Sequence, residues 1–380
     1  MRVLVLNAGS SSLKASIVED GATVARAEHS FGADATTSPG QPAAVRDVLA
    51  SLGGAGVGAQ TIEAVGHRVV HGGATFSQPT LLDERTMAAF DALDELAPLH
   101  NAVAVATIRA AQAALPGVPH IACFDTAFHA TLPEAAARYP LPESWNADWG
   151  IRRFGFHGLS VAWAVEKAGE LLGRPSRELA LLVAHLGSGC SVTAVAEGSS
   201  VQTSMGFTPL EGLMMGTRAG SIDPGILLYL LRSRRIGLDD LHGALEHRSG
   251  LMGVSGLGSD VRALEAAASA GDHRAGLALE MFIARAAAGI ASAAVSLDRL
   301  DALIFTGGIG EHAGRIRAAI VDRLSIIGFP RIEPEETGVD RVLAEGDLAA
   351  RADRLRPAVL RIEAREDLVI AHSVFALLAA

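Results

Sequence analysis

A glycine-rich hairpin pattern occurs twice in the chain, and this repeat restricts the fold more than any other sequence feature. Residues 3–6 and 13–18 are apolar runs separated by turn residues, which predicts a strand, a tight turn and a second strand. Residues 181–198 repeat the pattern and align Gly187 with Gly9. The offset between the two glycines is close to half of the 380-residue chain. The repeat therefore favours two duplicated domains, with chance similarity between two hairpins as the alternative.

The segments between and after the hairpins indicate an α/β fold. Predicted helices at residues 84–96 and 103–114 alternate with strand-like segments such as residues 62–65. A chain of 380 residues, of which 49% are hydrophobic, is long enough for two domains that each bury a core. The C-terminal part is predicted to contain a surface excursion at 331–356, a last strand at 358–362 and a helix at 368–380.

Charge and cysteine content restrict the partners and the location. The formal net charge of −10 argues against a nucleic acid or an anionic membrane as a partner bound by overall charge. An anionic substrate must therefore bind at a local cationic site. Cys123 and Cys190 are far apart and form no CxxC pattern, which argues against a disulfide framework or a zinc site and favours a reducing cytoplasm. The N-terminal apolar run is too short for a signal peptide, and no run approaches eighteen apolar residues.

The turn after the first predicted strand has the composition of a phosphate-binding loop. Gly9 and the serines that follow it offer backbone N–H groups and hydroxyls, and Lys14 adds a compact positive charge. The chain has only two lysines beside thirty arginines, and an ammonium suits a phosphate approached as a point charge in a tight space. A polar hairpin turn with a solvated lysine is the alternative interpretation.

A second glycine-rich segment, ALIFTGGIGEHAG, follows a predicted buried strand at residues 302–306 and precedes a helix predicted from about Ala313. Gly308, Gly310 and Ala313 match the GxGxxA pattern, which alone is a weak signal for a dinucleotide. We interpret the segment as a site for the phosphate or ribose of a nucleotide. The cluster at residues 53–58 follows no strand-like run and is predicted as an exposed loop without a phosphate role.

Three further segments place histidine or arginine beside glycines: VGHRVVHGG, RRFGFHGLS and TPLEGLMMGTRAGSIDPG. His67 and His71 are separated by strand-like residues, which places them too far apart for us to expect a zinc site. Taken singly, Arg68, His157 and Arg218 are each explained as well by a structural role.

Together these segments resemble the acetate kinase family. The matching motifs are LNAGSSSLK, GHRVVHGG, APLHN, FDTAFH, FGFHG, HLGSG, TSMGFTPLEGLMMGTR, TGGIGEH and EDLVIA, and they span nearly the whole chain. The resemblance implies two duplicated actin-like (ribonuclease H-like) domains with mixed sheets flanked by helices, facing across a nucleotide cleft. It implies an N-terminal domain at 1–148 completed by a helix at 367–380, and a C-terminal domain at 149–366 that holds the nucleotide site and the dimer surface.

The resemblance also implies an activity, the reversible Mg²⁺-dependent transfer of the γ-phosphoryl group of ATP to acetate, which gives acetyl phosphate and ADP. Mn²⁺ is the alternative metal. A kinase for propionate or butyrate is the near alternative, and an actin-like ATP-binding switch protein is the alternative from another class. The expected protein is a cytoplasmic homodimer.

The family motifs assign roles to residues by position. The metal ligands are Asn7 and Glu366, and the phosphate-binding residues are Lys14, Ser10 and Ser12. The catalytic residues are Arg68, Asp125, His157 and Arg218. Arg68 also binds substrate. The nucleotide-binding residues are His185, Leu186, Gly187, Ser188, Gly189, Asp260, Val261, Arg262, Gly308, Ile309, Gly310, Glu311 and His312; the acetate methyl group would contact Val70, Leu99, Phe156 and Pro209. Because acetate is already an anion, Asp125 is interpreted as an orienting residue in preference to a general base. The chain has Ser188 and His312 where the family usually has Asn, which leaves its nucleotide preference open.

Overall fold

The computed structural model describes residues 1–9, 12–31, 40–91, 98–335, 338–346 and 356–379, with the backbone alone for residues 91 and 98–100. Contacts within this part of the chain divide it into two compact units. Unit 1 comprises Met1–Ala130 together with Arg365–Ala380, and unit 2 comprises Thr131–Ala364.

Unit 1 is built on a mixed sheet whose strand order is β3-β2-β1-β4-β6-β5. Strands β1 to β3 are antiparallel, β4 and β6 run parallel to β1, and β5 pairs antiparallel with β6 at the edge. The elements are β1 Arg2–Ala8, β2 Ser12–Glu19, β3 Ala22–Ser30, α1 Gln41–Gly54, β4 Ala64–Val69, β5 Thr80–Leu81, α2 Glu84–Asp91, α3 Pro98–Ala114, β6 His120–Phe124 and the last helix of the chain, α14, Glu366–Ala379.

The two faces of this sheet are covered by different helices. Leu4 and Leu6 of β1 belong to a core formed with α1 and α3. The intervening residues of β1, including Asn7, point to the opposite face because side chains alternate along a strand. Helix α14 packs against β1, β2 and β4, and its Ile370 lies against Gly66 of β4. The alternation therefore places Asn7 on the face that carries α14.

Unit 2 repeats this architecture with the strand order β9-β8-β7-β10-β12-β11. Its hairpin β7–β8 is antiparallel, β10 and β12 run parallel to β7, and β11 pairs antiparallel at the edge. The elements are α4 Glu134–Ala137, α5 Glu143–Trp149, α6 Gly158–Leu172, β7 Ala180–Leu186, β8 Cys190–Ala196, β9 Ser199–Thr203, α7 Pro224–Arg232, α8 Leu238–His247, α9 Gly250–Ser255, α10 Val261–Ser269, α11 His273–Ala294, β10 Ala302–Thr306, α12 Gly307–His312, α13 Gly314–Arg323, β11 Arg341–Ala344 and β12 Ala358–Arg361. The matching strand order confirms the α/β class with two duplicated mixed sheets.

Several predicted boundaries were wrong. The strand predicted at 62–65 is β4, which begins at Ala64 and continues through His67 and Arg68. The two polar residues of β4 each have a partner: His67 Nε2 lies 2.9 Å from His120 Nδ1, and Arg68 binds Asp125. Since β4 ends at Val69, the following residue, Val70, does not continue the strand.

The C-terminal part of the chain also differs from the prediction. The surface excursion at 331–356 contains β11, an edge strand whose residues are only partly buried and therefore show no apolar signal. The glycine turn before Ala313 is the short helix α12, whose last carbonyls accept from the buried Arg317. The predicted C-terminal helix is confirmed as α14, and its first residue is Glu366. The part of the predicted helix 84–96 at residues 92–97 lies outside the described residues.

The division into units differs from the domain boundaries at 148/149 and 366/367. Residues that follow Ala130 make their contacts within unit 2, where Tyr139 hydrogen-bonds with Glu211 and lies under the guanidinium of Arg153 at 5.2 Å. These contacts assign the segment to unit 2 in place of the N-terminal domain.

Helix α11 is long and apolar enough, by length and composition alone, to cross a membrane, although Arg274, Glu280 and Arg285 interrupt its apolar residues. Its buried residues include Ala275, Leu279, Phe282 and Ile290, spaced as on one helix face, and the helix packs against α9, α10, α13 and β8 of unit 2. These contacts make α11 a core helix of unit 2.

Candidate active site

A polar cluster lies in unit 1 where its parallel strands end. Asn7 is near the end of β1, Arg68 is near the end of β4, and Asp125 directly follows β6. Glu366 begins α14, which covers the same face. The carboxyl ends of parallel strands are where open α/β sheets bind ligands, so the topology brings these residues together.

Arg68 is the centre of this cluster. Its Nε and Nη2 atoms donate to Asp125 Oδ1 and Oδ2 at 3.0 and 2.5 Å, which is a bidentate ion pair. Its Nη1 donates to Asn7 Oδ1 at 3.1 Å, and its Nε lies 3.4 Å from Glu366 Oε2. The guanidinium is therefore fixed in position by three side chains from three elements.

The electrostatics of the cluster follow from its burial. Burial raises the pKa of Asp125 to about 6, against the effect of Arg68 and together with that of Glu366. Burial acts to lower the pKa of Arg68, but the charges of Asp125 and Glu366 outweigh it and the net direction is upward. Arg68 is therefore charged, and Asp125 is ionised at neutral pH. An ionised carboxylate occupied by a guanidinium is suited to orienting Arg68.

Lys14 lies on the same face of the sheet as this cluster. It is the direct antiparallel partner of Asn7, and directly opposed residues point to the same side. Its side chain is exposed, and no ion pair is recorded for it within the described ranges. Ser12 is nearly buried and donates its hydroxyl to Glu28 Oε1 at 2.7 Å, which directs it toward β3. Ser10 lies outside the described residues.

Asn7 and Glu366 are chemically suited to a hard divalent cation. They lie side by side, with Asn7 Nδ2 3.1 Å from Glu366 Oε2, and both supply oxygen donors. Mg²⁺ uses one or two carboxylates and completes its octahedron with waters and substrate phosphates. In the described part of the chain no group of three or more His, Cys, Asp or Glu residues could form a full cage. The donor set therefore fits a metal held largely by a phosphorylated substrate.

Unit 2 carries a second polar cluster, centred on His157. This residue is the N-cap of α6 and has a left-handed backbone with φ of 60°. Its ring stacks on His185 of β7 with centroids 4.1 Å apart, and its Nδ1 lies 2.9 Å from Ser191 Oγ. His185 Nδ1 in turn lies 2.9 Å from Ser160 Oγ of α6. Left-handed backbone in a non-glycine residue is costly and concentrates at functional sites.

Arg218 and His157 converge on Gly189. A Cβ atom at Gly189 would lie 2.9 Å from Arg218 Nη2 and 3.1 Å from His157 Nε2, so a side chain here would occupy the space before both groups. Arg218 Nη1 donates to Pro209 O at 2.9 Å, and burial lowers the pKa of Arg218 from its ordinary value. A guanidinium and an imidazole that face one point form a site for an anion.

The segments assigned to the nucleotide are in part contiguous within unit 2. A Cβ at Gly187 would lie 3.7 Å from Gly308 N, which brings the β7–β8 hairpin against the start of α12. Gly216 N donates to Ser188 O at 3.2 Å and also lies against Ser259, the residue before Asp260. The three segments that meet here are residues 185–189, the start of α10 and the start of α12.

Other residues of the nucleotide set are engaged in different ways. Asp260 caps α10 and forms an exposed ion pair with Arg262 at 3.0 Å, beside Val261. Glu311 is buried and its Oε1 accepts from Ala364 N at 2.9 Å, whereas His312 is exposed. The structure thus gives Glu311 an internal partner and leaves His312 at the surface.

The four residues assigned to the acetate methyl group are distributed over both units. Val70 directly follows β4 and is buried, and Leu99 lies in α3. Phe156, next to His157, is fully buried, and Pro209 holds Arg218 through its carbonyl. Ser191, the polar partner of His157, was missed in the sequence. The hairpin register centred on residue 188 would have placed Ser191 opposite His185.

The fold and these clusters define a class: a two-unit α/β phosphotransferase with glycine-rich loops and, in unit 2, an arginine and a histidine that face one point. The acetokinase family matches the chain over residues 33–372. Acetate kinase of Deinococcus deserti is 47% identical over 100% of this chain and 98% of its own, and acetate kinase of Deinococcus radiodurans is 44% identical over 98% and 97%. This chain belongs to the acetokinase family.

Solved structures agree with this assignment. The crystal structure of Porphyromonas gingivalis acetate kinase is similar with a TM-score of 0.86 at 31% identity, covering 99% of both chains. A propionate kinase from Francisella tularensis has a TM-score of 0.85 at 34% identity, covering 98% of both. The resemblance inferred from the motifs is thereby confirmed. The family consists of ATP-dependent kinases that generally need a divalent metal.

Proposed function

We propose that this chain catalyses the reversible transfer of the γ-phosphoryl group of ATP to acetate, giving acetyl phosphate and ADP. The observation that carries the proposal is the convergence of Arg218 Nη2 and His157 Nε2 on Gly189 in a chain of the acetokinase family. A transferring phosphoryl group spreads negative charge over its equatorial oxygens, and catalysis consists mainly of positioning and of neutralising that charge. A guanidinium and an imidazole donor facing one point serve that purpose.

Arg68 is proposed to bind the carboxylate of acetate. Its guanidinium is already held by Asp125 and Asn7, so little side-chain entropy is lost when the substrate binds. Acetate needs no deprotonation at neutral pH, and Asp125 is proposed to orient Arg68. The bidentate contact and the near-complete burial of Asp125 support this role over that of a general base.

Mg²⁺ is the proposed metal, with Mn²⁺ as the alternative, and Asn7 and Glu366 are the proposed ligands. When bound, the ion neutralises charge on the nucleotide phosphates. Lys14 lies on the same sheet face as Asn7 and is proposed to bind a phosphate oxygen. The β7–β8 hairpin, the start of α10 and the start of α12 are proposed to bind the nucleotide, because these segments approach one another at Gly187, Gly216 and Gly308.

Propionate is the second candidate substrate, favoured by the similarity to the propionate kinase structure. A hydroxylamine trap for acyl phosphate, run with ATP, Mg²⁺ and acetate, propionate or butyrate in turn, tests both candidates. The highest kcat/KM is expected with acetate. ATP hydrolysis without acyl phosphate from any acid would overturn the proposal and favour the ATP-binding switch protein.

A homodimer is proposed through the exposed apolar surface of α7. This helix, PGILLYLLR, has no buried residue in the described single chain, and Leu228 and Tyr229 are 52% and 57% exposed. Such a surface on a helix is typical of an interface between copies. Light scattering should give twice the chain mass, and Leu228→Glu with Tyr229→Glu should give monomers. A monomeric wild-type protein would exclude the dimer.

The proposed location is the cytoplasm. Cys123 and Cys190 are both free and buried, which suits a reducing compartment. The net charge of −10 supports neither a nucleic acid nor an anionic membrane as partner. Fractionation of cells that express the chain should recover it with the soluble fraction, and recovery with membranes would contradict this location.

A further inference from the structure

The β7–β8 hairpin holds His157 through a single cross-strand pair. His185 and Ser191 are directly opposed in the antiparallel register, so their side chains lie on one face. The ring of His157 stacks on His185, and its Nδ1 lies 2.9 Å from Ser191 Oγ. His185 therefore sets the plane of the His157 ring. Ser191 contacts Nδ1, the ring nitrogen that faces away from Gly189.

The burial of Ser191 determines which atom is the donor in the hydrogen bond between Ser191 Oγ and His157 Nδ1. Ser191 is fully buried, and His157 Nδ1 is the one hydrogen-bond partner recorded for its hydroxyl in the part of the chain that the structure describes. A buried hydroxyl hydrogen without an acceptor is unfavourable. If Nδ1 carried a hydrogen, it would donate to Ser191 Oγ and the hydroxyl hydrogen would lack this acceptor. The favoured arrangement has Ser191 donating to Nδ1.

The tautomer of His157 follows from this hydrogen bond. A neutral imidazole that accepts at Nδ1 carries its hydrogen on Nε2. Nε2 faces Gly189 beside the guanidinium of Arg218, whose positive charge disfavours a second positive charge on the ring. The stacked His185 is another titratable neighbour of the ring. His157 Nε2–H and Arg218 Nη2 thus both face Gly189 as hydrogen-bond donors.

We propose that Ser191 is a positioning residue that keeps His157 as a neutral imidazole with its hydrogen on Nε2, ready to donate to the phosphoryl group. The catalytic consequence rests on the proposed function, whereas the tautomer does not. The two parts can therefore be tested separately.

The first test measures the tautomer directly. Protein labelled with ¹⁵N-histidine is studied by long-range ¹H–¹⁵N correlation, and the signals of His157 are assigned by their loss in His157→Gln. At a pH where their own titration shows the ring to be neutral, the wild-type signals should have the pattern of Nε2–H. Ser191→Ala should shift them toward a mixture of tautomers. A wild-type ring with hydrogen on Nδ1, or no change in Ser191→Ala, would overturn the proposal.

The second test measures the catalytic consequence. Ser191→Ala should lower kcat about tenfold and leave KM for acetate and ATP within about twofold, because the donor acts on the charge that develops at phosphorus. Ser191→Thr keeps the hydroxyl and should restore most of kcat.

Thr193→Val is the matched control for both tests. Thr193 lies two residues further along the same face of β8, is equally buried, and bonds with Thr203 in place of an imidazole. It should leave kcat and the His157 signals unchanged. An equal loss of kcat in Thr193→Val would show a general effect of a buried hydroxyl and overturn the proposal. If the wild-type protein forms no acyl phosphate, the proposed function fails, while the tautomer measurement still decides the role of Ser191.

Discussion

The two arginines proposed for catalysis are held in different ways. Arg68 is fixed by a bidentate carboxylate and an amide, whereas Arg218 uses Nη1 to bind Pro209 O and directs Nη2 toward Gly189. The sequence predicted both arginines and an orienting role for Asp125, but it identified neither Asn7 nor Pro209 as an arginine partner. The partners of Arg68 come from β1, from the segment after β6 and from α14, so only the folded sheet brings them together.

Arg218→Lys should lower the single-turnover rate at least about tenfold, because an ammonium cannot keep the Pro209 contact and also reach a second oxygen as a guanidinium does. Rapid-quench measurement of acyl phosphate checks this result. Arg177→Lys, at an exposed position of the same unit, is the control and should have no effect. A rate close to that of wild type in Arg218→Lys would reject the role of Arg218.

Val70→Ala should admit a longer acid. Val70 is buried directly after the strand that carries Arg68, and one methylene in an apolar pocket changes specificity by about tenfold or more. The ratio of kcat/KM for propionate to that for acetate should rise by about this factor, mainly through KM. Val65→Ala, a buried change on the opposite face of β4, should lower stability and leave the ratio unchanged. A flat ratio in Val70→Ala would show that another residue limits the pocket.

At the scale of elements, α14 connects the C-terminus of the chain to the site. Its first residue, Glu366, contacts Asn7 and Arg68, and its apolar side chains pack on the sheet at Gly66. The helix itself was predictable from its apolar composition. Its position on this face depends on Gly66, where the lack of a side chain admits Ile370.

Gly66→Ala should destabilise the protein by about 1–3 kcal/mol, since the added Cβ would lie 2.4 Å from Ile370 Cγ2. Urea unfolding measures the loss. Gly53→Ala, at a position in α1 with open space around it, is the control and should be neutral or slightly stabilising. Adding Ile370→Ala to Gly66→Ala should cost less than the sum of the two changes, and strict additivity would contradict the proposed clash.

Asp367 anchors the same helix through charge. Its Oδ2 accepts from Thr23 Oγ1 at 2.6 Å, and its Oδ1 accepts from Arg365 Nε at 3.0 Å. Burial acts to raise the pKa of Asp367, but the contacts with Arg365, Thr23 and Arg26 outweigh it and lower the pKa. A carboxylate whose pKa is lowered on folding stabilises the protein above its unfolded pKa, and this stabilisation is lost as the pH falls through the folded pKa.

Asp367→Asn should therefore lower Tm at neutral pH by about 2–4 °C, which corresponds to about 1 kcal/mol in a unit of this size. The difference from wild type should shrink as the pH falls below about 4. Thermal unfolding followed by circular dichroism at several pH values measures it. A difference that is constant over this range would show that the carboxylate charge does not stabilise α14.

At the scale of the whole molecule, two units of the same strand order carry different polar residues. Unit 1 presents Arg68, Asp125 and Glu366, and unit 2 presents His157 and Arg218. The duplicated framework explains why glycine-rich hairpins recur, whereas the polar residues differ between the two copies.

Binding of ATP with Mg²⁺ should raise the Tm of the protein, because a ligand that binds only the native state stabilises it in proportion to its saturation. Glu366→Gln should need a higher Mg²⁺ concentration for the same rise, since it loses a charged oxygen ligand next to Asn7. Thermal shift at constant ATP over a Mg²⁺ titration tests this. An unchanged Mg²⁺ midpoint would remove Glu366 from the metal site.

The sequence by itself determined the α/β class, the duplication, the hairpins, the C-terminal helix and the residue types of the site. These features depend on local patterns: apolar periodicity, glycine turns and a spacing of motifs that identifies a family. It did not show the edge strand β11, because the residues of this strand are only partly buried and local hydropathy does not report a pairing partner from a distant segment.

Only the tertiary structure decided which groups each polar side chain contacts. Ser191 has the appearance of an ordinary strand residue until the β7–β8 register sets it opposite His185 and beneath His157. Asp125 could act as a base by its chemistry, but the sheet sets it against Arg68, 3.0 Å from Nε. The physical reason is that the energy of a buried charge or hydroxyl is set by the few atoms within hydrogen-bond distance, and these atoms are brought there by packing far along the chain.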